Sequence, residues 1–177
     1  MPEENDACSV AHGATPATRA APAAADRTLV AVFASAVAVF LLRYGTDAGF
    51  RGLLVEPDPV RADGARMAGF TVLAQLPEDL EGADVVVTDH HRDELGVLLR
   101  DALATKARWI GIMGNPHHGG PHIAALEALG VGPGDIARVH RPIGLNIGSR
   151  TPPEIAVSTL GGLIADRNSR PGGFSFY

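Results

Sequence analysis

The 177-residue sequence contains one cysteine, Cys8, so no disulfide can form within the chain. Stability must then come from a buried apolar core, which a chain of this length is long enough to build. A lone thiol also fits a reducing compartment, and the cytoplasm is the expected location. Basic clusters are missing too. Fifteen Lys and Arg stand against twenty Asp and Glu, a net charge of −5, and no basic run occurs anywhere. Without clustered cations there is nothing to neutralise phosphate backbones, and no nucleic-acid partner is expected.

A long apolar run is likewise absent. The most apolar stretch, "LVAVFASAVAVFLL" from Leu29 to Leu42, has 14 residues, short of the ~20 that a membrane-spanning helix needs. Ahead of it, Glu3, Glu4, Asp6 and Asp26 outnumber Arg19, the wrong sign for the start of a secretion signal. The stretch is better divided. Leu29–Phe33 reads as a fully buried strand, and Ser35–Tyr44 as the helix behind it. No membrane association is expected.

What remains is an alternation of short apolar strands with helical segments. Residues 1–27, rich in Ala, Pro and Thr without a period, read as a disordered tail. Residues 28–170 read as one domain and 171–177 as a short tail. Further strands are expected in "RGLLVEPDP" up to Glu56, in "FTVLAQL", in "ADVVVTDHH" up to Thr88, and in "ARWIGIMG". Helices are expected in "VRADGARMAG", "RDELGVLLRDALAT", "GGPHIAALEALG" (closed by Gly130) and "TPPEIAVSTLGGLIADR". The last carries Thr151 as N-cap, Pro152 at N1 and Glu154 at N3, a capping box. Strands that are apolar throughout, alternating with helices, predict an α/β fold: a Rossmann-like, doubly wound parallel sheet in three α/β/α layers. In such a fold the functional crevice lies beyond the carboxyl ends of the strands.

The unusual residues of this chain gather at those ends. "VFASAVA" stands where a dinucleotide-binding turn is expected, and Glu56 follows Ala36 by 20 residues, the spacing of a ribose-binding acid. Both fingerprint glycines are missing, replaced by Ala34 and Ala36 around Ser35. A methyl group at a position of positive φ costs ~1 kcal/mol and blocks close approach of a pyrophosphate. Dinucleotide binding there is expected to be weak. "VVTDHHRDE" brings Asp89, His90 and His91 to the end of another strand, for acid–base work, to complete a metal site, or with Asp89 as a helix cap. In "GIMGNPHHGGPH", His118 and His122 have the i,i+4 spacing of metal ligands, but Gly119, Gly120 and Pro121 interrupt a helix between them. Gly114, Asn115, His117 and His118 therefore read as a loop leading into a helix N-terminus, a seat for an anion rather than a metal. "RPIGLNIGSR" adds Arg141 and Arg150 on either side of a loop stiffened by Gly144 and Gly148, with Asn146 at its tip; two arginines suit a phosphate or carboxylate.

At "HRPIGLNIGSRTPPEIAVSTLGGLIADR" the chain resembles the carboxy-terminal Rossmann-like domain of the XdhC/CoxI family. That family shows Pro-Ile-Gly-Leu-Asp-Ile-Gly and then Thr-Pro-Glu-Glu-Ile-Ala, with Asn146 and Pro153 as the departures here. "RWIGIMGNPHH" matches its Tyr-Ile-Gly-Leu-Ile-Gly segment, where Pro116-His117-His118 replace Arg-Arg-Lys. "VFASAVA" matches its Phe-Gly-Ala-Gly-His turn, and "VVTDHHRDELGVLLRDAL" its Thr-His-Asp-His segment in altered order. The resemblance implies an accessory protein for maturation of xanthine dehydrogenase and related molybdenum hydroxylases. Such a protein holds the molybdenum cofactor, a phosphate-bearing molybdopterin, while a cysteine desulfurase supplies sulfur to it, and then delivers it to the apo-hydroxylase. The cofactor-binding residues expected on this reading are Ala34, Ser35, Ala36, Glu56, Asp89, His90, Gly114, Asn115, His117, His118, Arg141, Gly144, Asn146 and Arg150. Two alternatives stay open: an NAD(P)-dependent oxidoreductase with a degenerate glycine turn, and a scaffold acting by protein contact, including as a homodimer.

Overall fold

The computed structural model describes residues 27–114 and 120–173. The tail residues 1–26 and 174–177, and with them Cys8, lie outside the described residues, as do Asn115, His117 and His118.

Six parallel strands form one sheet: β1 (Thr28–Val32), β2 (Arg51–Val55), β3 (Val72–Leu73), β4 (Asp84–Val87), β5 (Trp109–Ile112) and β6 (Val139–His140). Their order is β3-β2-β1-β4-β5-β6, so the chain reverses its direction of travel across the sheet between β1 and β4. The helices are α1 (Ala36–Asp47), α2 (Pro59–Met67), α3 (Leu95–Ala104), α4 (Pro121–Ala128), the single turn α5 (Pro133–Ile136) and α6 (Pro152–Arg167).

β1 is the centre of the core, as the unbroken apolar "LVAVF" predicts. Side chains alternate across a strand, so Val30 and Val32 enter one apolar layer with Val85, Leu99, Ile112 and Leu126. Leu29 and Ala31 enter the opposite layer with Leu41, Leu54, Ala156 and Leu160. Helices α3 and α4 cover the first face, α1 and α6 the second. The predicted three layers are what the chain forms.

β3 is a two-residue edge strand, shorter than "FTVLAQL" suggests, because only Val72 and Leu73 find partners on β2. α5 and β6 were not expected; one turn and two residues carry no period to read. Gly130 takes φ +76° just past the end of α4, the αL stop that the sequence predicts. The capping box of α6 forms as read: Glu154 Oε2 accepts the backbone N–H groups of Arg150 at 2.8 Å and Thr151 at 3.0 Å.

Register places the crevice. Val32 pairs with Val55 on one side and Val87 on the other, and Val87 pairs with Ile112. The next residues, Phe33, Glu56, Thr88 and Met113, therefore stand level along the carboxyl edge. At the opposite edge the buried Asp84 holds Arg108 Nε at 2.8 Å and Arg167 Nε at 2.7 Å, fastening the end of α6 to the start of β4. Burial pushes the Asp84 carboxyl above its ordinary pKa even with both guanidinium groups beside it.

Candidate functional site

The turn after β1 is closed from within. Its one residue of positive φ is Phe33, at +73°. The strain expected at Ala34 and Ala36 is thus not found there, and the correction has a local reason: the chain leaves β1 one residue earlier than the glycine pattern suggests. An αL residue with a side chain costs roughly 1–2 kcal/mol. Phe33 is fully buried, which contributes ~1.5–3 kcal/mol and offsets that cost. Ser35 is the N-cap of α1; its Oγ accepts the Ala38 N–H at 3.0 Å and donates to Thr88 Oγ1 at 2.9 Å. The Thr88 hydroxyl in turn donates to the Phe33 carbonyl at 2.8 Å. Helix α1 thereby spends a first-turn amide on its own serine.

Glu56 does not present a carboxylate to a ribose. It is fully buried. Its Oε2 accepts the Ala34 N–H at 2.8 Å, its Oε1 accepts the Asp58 N–H at 2.9 Å, and Arg92 forks onto both oxygens at 3.1 and 3.0 Å. Burial pushes this carboxyl's pKa up, but the Arg92 fork and the two amides outweigh it and hold the group below the ordinary glutamate range. The Arg92 guanidinium also lies over the Phe33 ring, 4.7 Å from its centroid, a cation–π contact. A dinucleotide would need both the turn amide and the acid, and here each satisfies the other. Arg92 was not singled out by sequence, since only the β2–β4 geometry brings it to a residue 36 positions away.

The other half of the edge is differently furnished. Asp89 accepts the His91 N–H at 2.9 Å, capping its own turn rather than α3. His90 is half-buried, with its ring tilted by 40° against that of His91 at 4.1 Å between centroids. Burial, then the His91 and Arg141 charges, press its pKa below the ordinary value, against Asp89 and a backbone hydrogen bond at Met113. The guanidinium of Arg141 lies against Gly114: a Cβ there would stand 2.7 Å from Nη2 and 2.8 Å from Nε. Gly114 is thus required by the close approach of a cation. Among the described residues no three of His, Cys, Asp and Glu come together around one point as a metal site would need.

The "RPIGLNIGSR" loop divides by role. Gly144 has φ +86°, and a Cβ there would sit 2.5 Å from Ser158 Oγ and 3.0 Å from the Ser158 backbone. The loop is moored to α6 by the Leu145 N–H on the Ser158 carbonyl, 3.1 Å, and by Ser158 Oγ on the Leu145 carbonyl, 2.6 Å. Packing therefore accounts for Gly144. Asn146 and Arg150 are exposed. Arg150 offers its backbone to the capping box, leaving its side chain at the surface. The edge thus has a closed β1–β2 half and a β4–β6 half whose fixed cation, Arg141, suits an anionic group.

Comparison with known proteins agrees with this topology. A xanthine dehydrogenase from Bacillus halodurans has a similar fold, with a TM-score of 0.64 at 20% identity, covering 81% of this chain and 45% of that one. The uncharacterised protein YqeB of Escherichia coli K12 is 33% identical over 89 residues, 50% of this chain and 16% of YqeB. The chain therefore spans less than half the length of either. No helix among the described residues is long and apolar enough to cross a membrane. Residues 29–163 match the family model described as the XdhC Rossmann domain, and the chain belongs to that family.

Proposed function

We propose that this chain serves the maturation of a molybdenum hydroxylase of the xanthine dehydrogenase type, as an accessory protein that holds the molybdenum cofactor for transfer. The observation that carries this reading is the family match over residues 29–163, joined by the crevice beyond β4, β5 and β6. The partners on this reading are the apo-hydroxylase and a cysteine desulfurase.

The residues present fit the anionic part of the cofactor. Arg141 is set on the backbone of Gly114 at the sheet edge, and its charge is felt at His90, so a phosphate would be drawn to this half of the edge. The described residues include no cysteine, and hence offer no thiolate for the metal. When bound, the cofactor supplies the molybdenum chemistry. The role of the chain is to grip a phosphate through Arg141 and His90 and to keep the turn at Ala34–Ala36 closed.

An NAD(P)-dependent oxidoreductase is the less favoured reading, because Glu56 and the Ala34 amide are spent on each other. The experiment is cofactor transfer: the purified chain is incubated with molybdenum cofactor and then with apo-hydroxylase, and hydroxylase activity is followed. Accelerated reconstitution that Arg141→Ala reduces supports the proposal. Reconstitution no faster than with free cofactor contradicts it.

A further inference from the structure

Beside Arg141 lies a second group that the accessory reading does not use. His122 stands one residue inside α4, is 5% exposed, and its Nδ1 is buried without a hydrogen-bond partner. An unpaired buried nitrogen of this kind forfeits its hydration without a replacement hydrogen bond, so its retention calls for a reason. The imidazole folds back over the start of its own helix: a Cβ on the N-cap Gly120 would stand 2.3 Å from His122 Cε1 and 2.5 Å from Nδ1. The same Gly120 position is 3.5 Å from Arg141 Cδ. Gly120 thus admits the histidine ring and the arginine stem at one point.

That point is also a helix N-terminus with no side-chain cap. Helices α1, α2 and α6 are capped by side chains, whereas α3 and α5 share the uncapped start of α4. The buried Nδ1 of His122 is what sets the α4 end apart. Pro121 has no N–H and the Ile123 N–H goes to the Gly120 carbonyl at 3.1 Å, so the first-turn amide left for a ligand is that of His122. With the buried Nδ1 and the guanidinium that the Arg141 stem carries past Gly120 to Gly114, it suits an acceptor carrying negative charge. We infer that the N-terminus of α4, with Nδ1 of His122 and the guanidinium of Arg141, seats a tetrahedral oxyanion of the phosphate type. The inference deepens the proposed function, since it assigns His122 to hold the phosphate of a bound cofactor; it also stands for free phosphate.

A coupling to protons follows. His122 is held below the ordinary histidine pKa by burial and then by the Arg141 charge. An anion between His122 and Arg141 cancels the Arg141 charge, so His122 takes up a proton more readily in the complex. For an anion of fixed charge, affinity then falls as pH rises through the histidine range, while the second ionisation of a phosphate acts in the opposite direction.

The test follows the histidine ring resonances of the full chain by NMR while inorganic phosphate is added, with an alkyl phosphomonoester in a parallel series. The expected result is a saturable shift of the His122 ring with a raised titration midpoint. Binding should weaken about tenfold in His122→Leu, the loss of one charge-assisted hydrogen bond, and less in His122→Gln, which keeps a donor. Tighter binding of the monoester identifies a cofactor phosphate as the source, and equal binding identifies free phosphate. An unmoved His122 ring, or phosphate affinity unchanged in His122→Leu with its amide spectrum intact, overturns the inference. Phosphate binding at His122 without cofactor transfer would retain this site and remove the accessory role. Transfer with His122 unmoved would do the reverse.

Discussion

The carboxylate of Glu56 accepts the backbone N–H of Ala34 at 2.8 Å across 22 residues of sequence. In one contact the acid of a dinucleotide site consumes the amide of its phosphate turn. Arg92 completes the closure on the far side of the same carboxylate.

NAD should accordingly bind weakly, with a dissociation constant above ~1 μM, equivalent to about −8 kcal/mol. Restoring the glycines in an Ala34→Gly, Ala36→Gly double variant should not improve it, because the obstruction is the Glu56–Arg92 pair and not the methyl groups. Isothermal titration of both proteins decides. A gain of tenfold or more on restoring the glycines would return the cause to the methyls.

Arg92→Ala should destabilise the fold by about 3–5 kcal/mol, since it leaves a buried carboxylate without its cation. The linkage to pH runs through Glu56. Its folded pKa is lowered, so its contribution is present above the ordinary glutamate pKa and disappears as pH falls through the folded value. Chemical denaturation of wild type between neutral and acid pH should show that loss, and Glu56→Gln a flatter profile. Parallel profiles would mean that Glu56 is not held by charge.

Gly144 and Gly148 share a positive φ but not a neighbourhood. At Gly144 a Cβ meets Ser158, whereas at Gly148 nothing lies within 4 Å. Gly148→Ala should cost about 1 kcal/mol from backbone conformation alone. Gly144→Ala should cost about 2–4 kcal/mol, since overpacking against α6 adds to it. Equal shifts in denaturation midpoint would show that the mooring of the loop to α6 is slack.

Asp84→Ala should destabilise by about 3 kcal/mol, because Arg108 and Arg167 would face each other without the carboxylate between them. Hydrogen exchange should report the loss first at the carboxy-terminal end of α6, and an unaltered α6 would argue that Asp84 does not fasten it.

The fold was legible wherever one residue pattern served one layer. The apolar run of β1 and the caps of α6 are local signals, and both appear where the sequence puts them. Short elements were not legible: β6 buries only Val139 of its two residues. The described residues that sequence singled out gather at the carboxyl edge of the sheet, because they follow the ends of strands. Sequence misread the cause at the turn, because Glu56 stands at a familiar spacing from Ala36 yet closes on the Ala34 N–H and on Arg92 only once β2 and β4 flank β1. Gly144 looked like a ligand glycine, while its neighbour is α6, which no local pattern reveals. Against the i,i+4 spacing of His118 and His122 stand Gly119, Gly120 and Pro121 between them, and the His122 ring folds back over Gly120.

The central claim is that a ligand enters beyond β4–β6 and not at the turn after β1. Backbone amide shifts of the full chain, recorded during titration with molybdenum cofactor, test it most directly. The account predicts perturbation at His90, Met113, Gly114 and Arg141 with Ala34, Ser35 and Ala36 unmoved. Perturbation centred on Ala34–Ala36, with Gly114 and Arg141 unchanged, would contradict it.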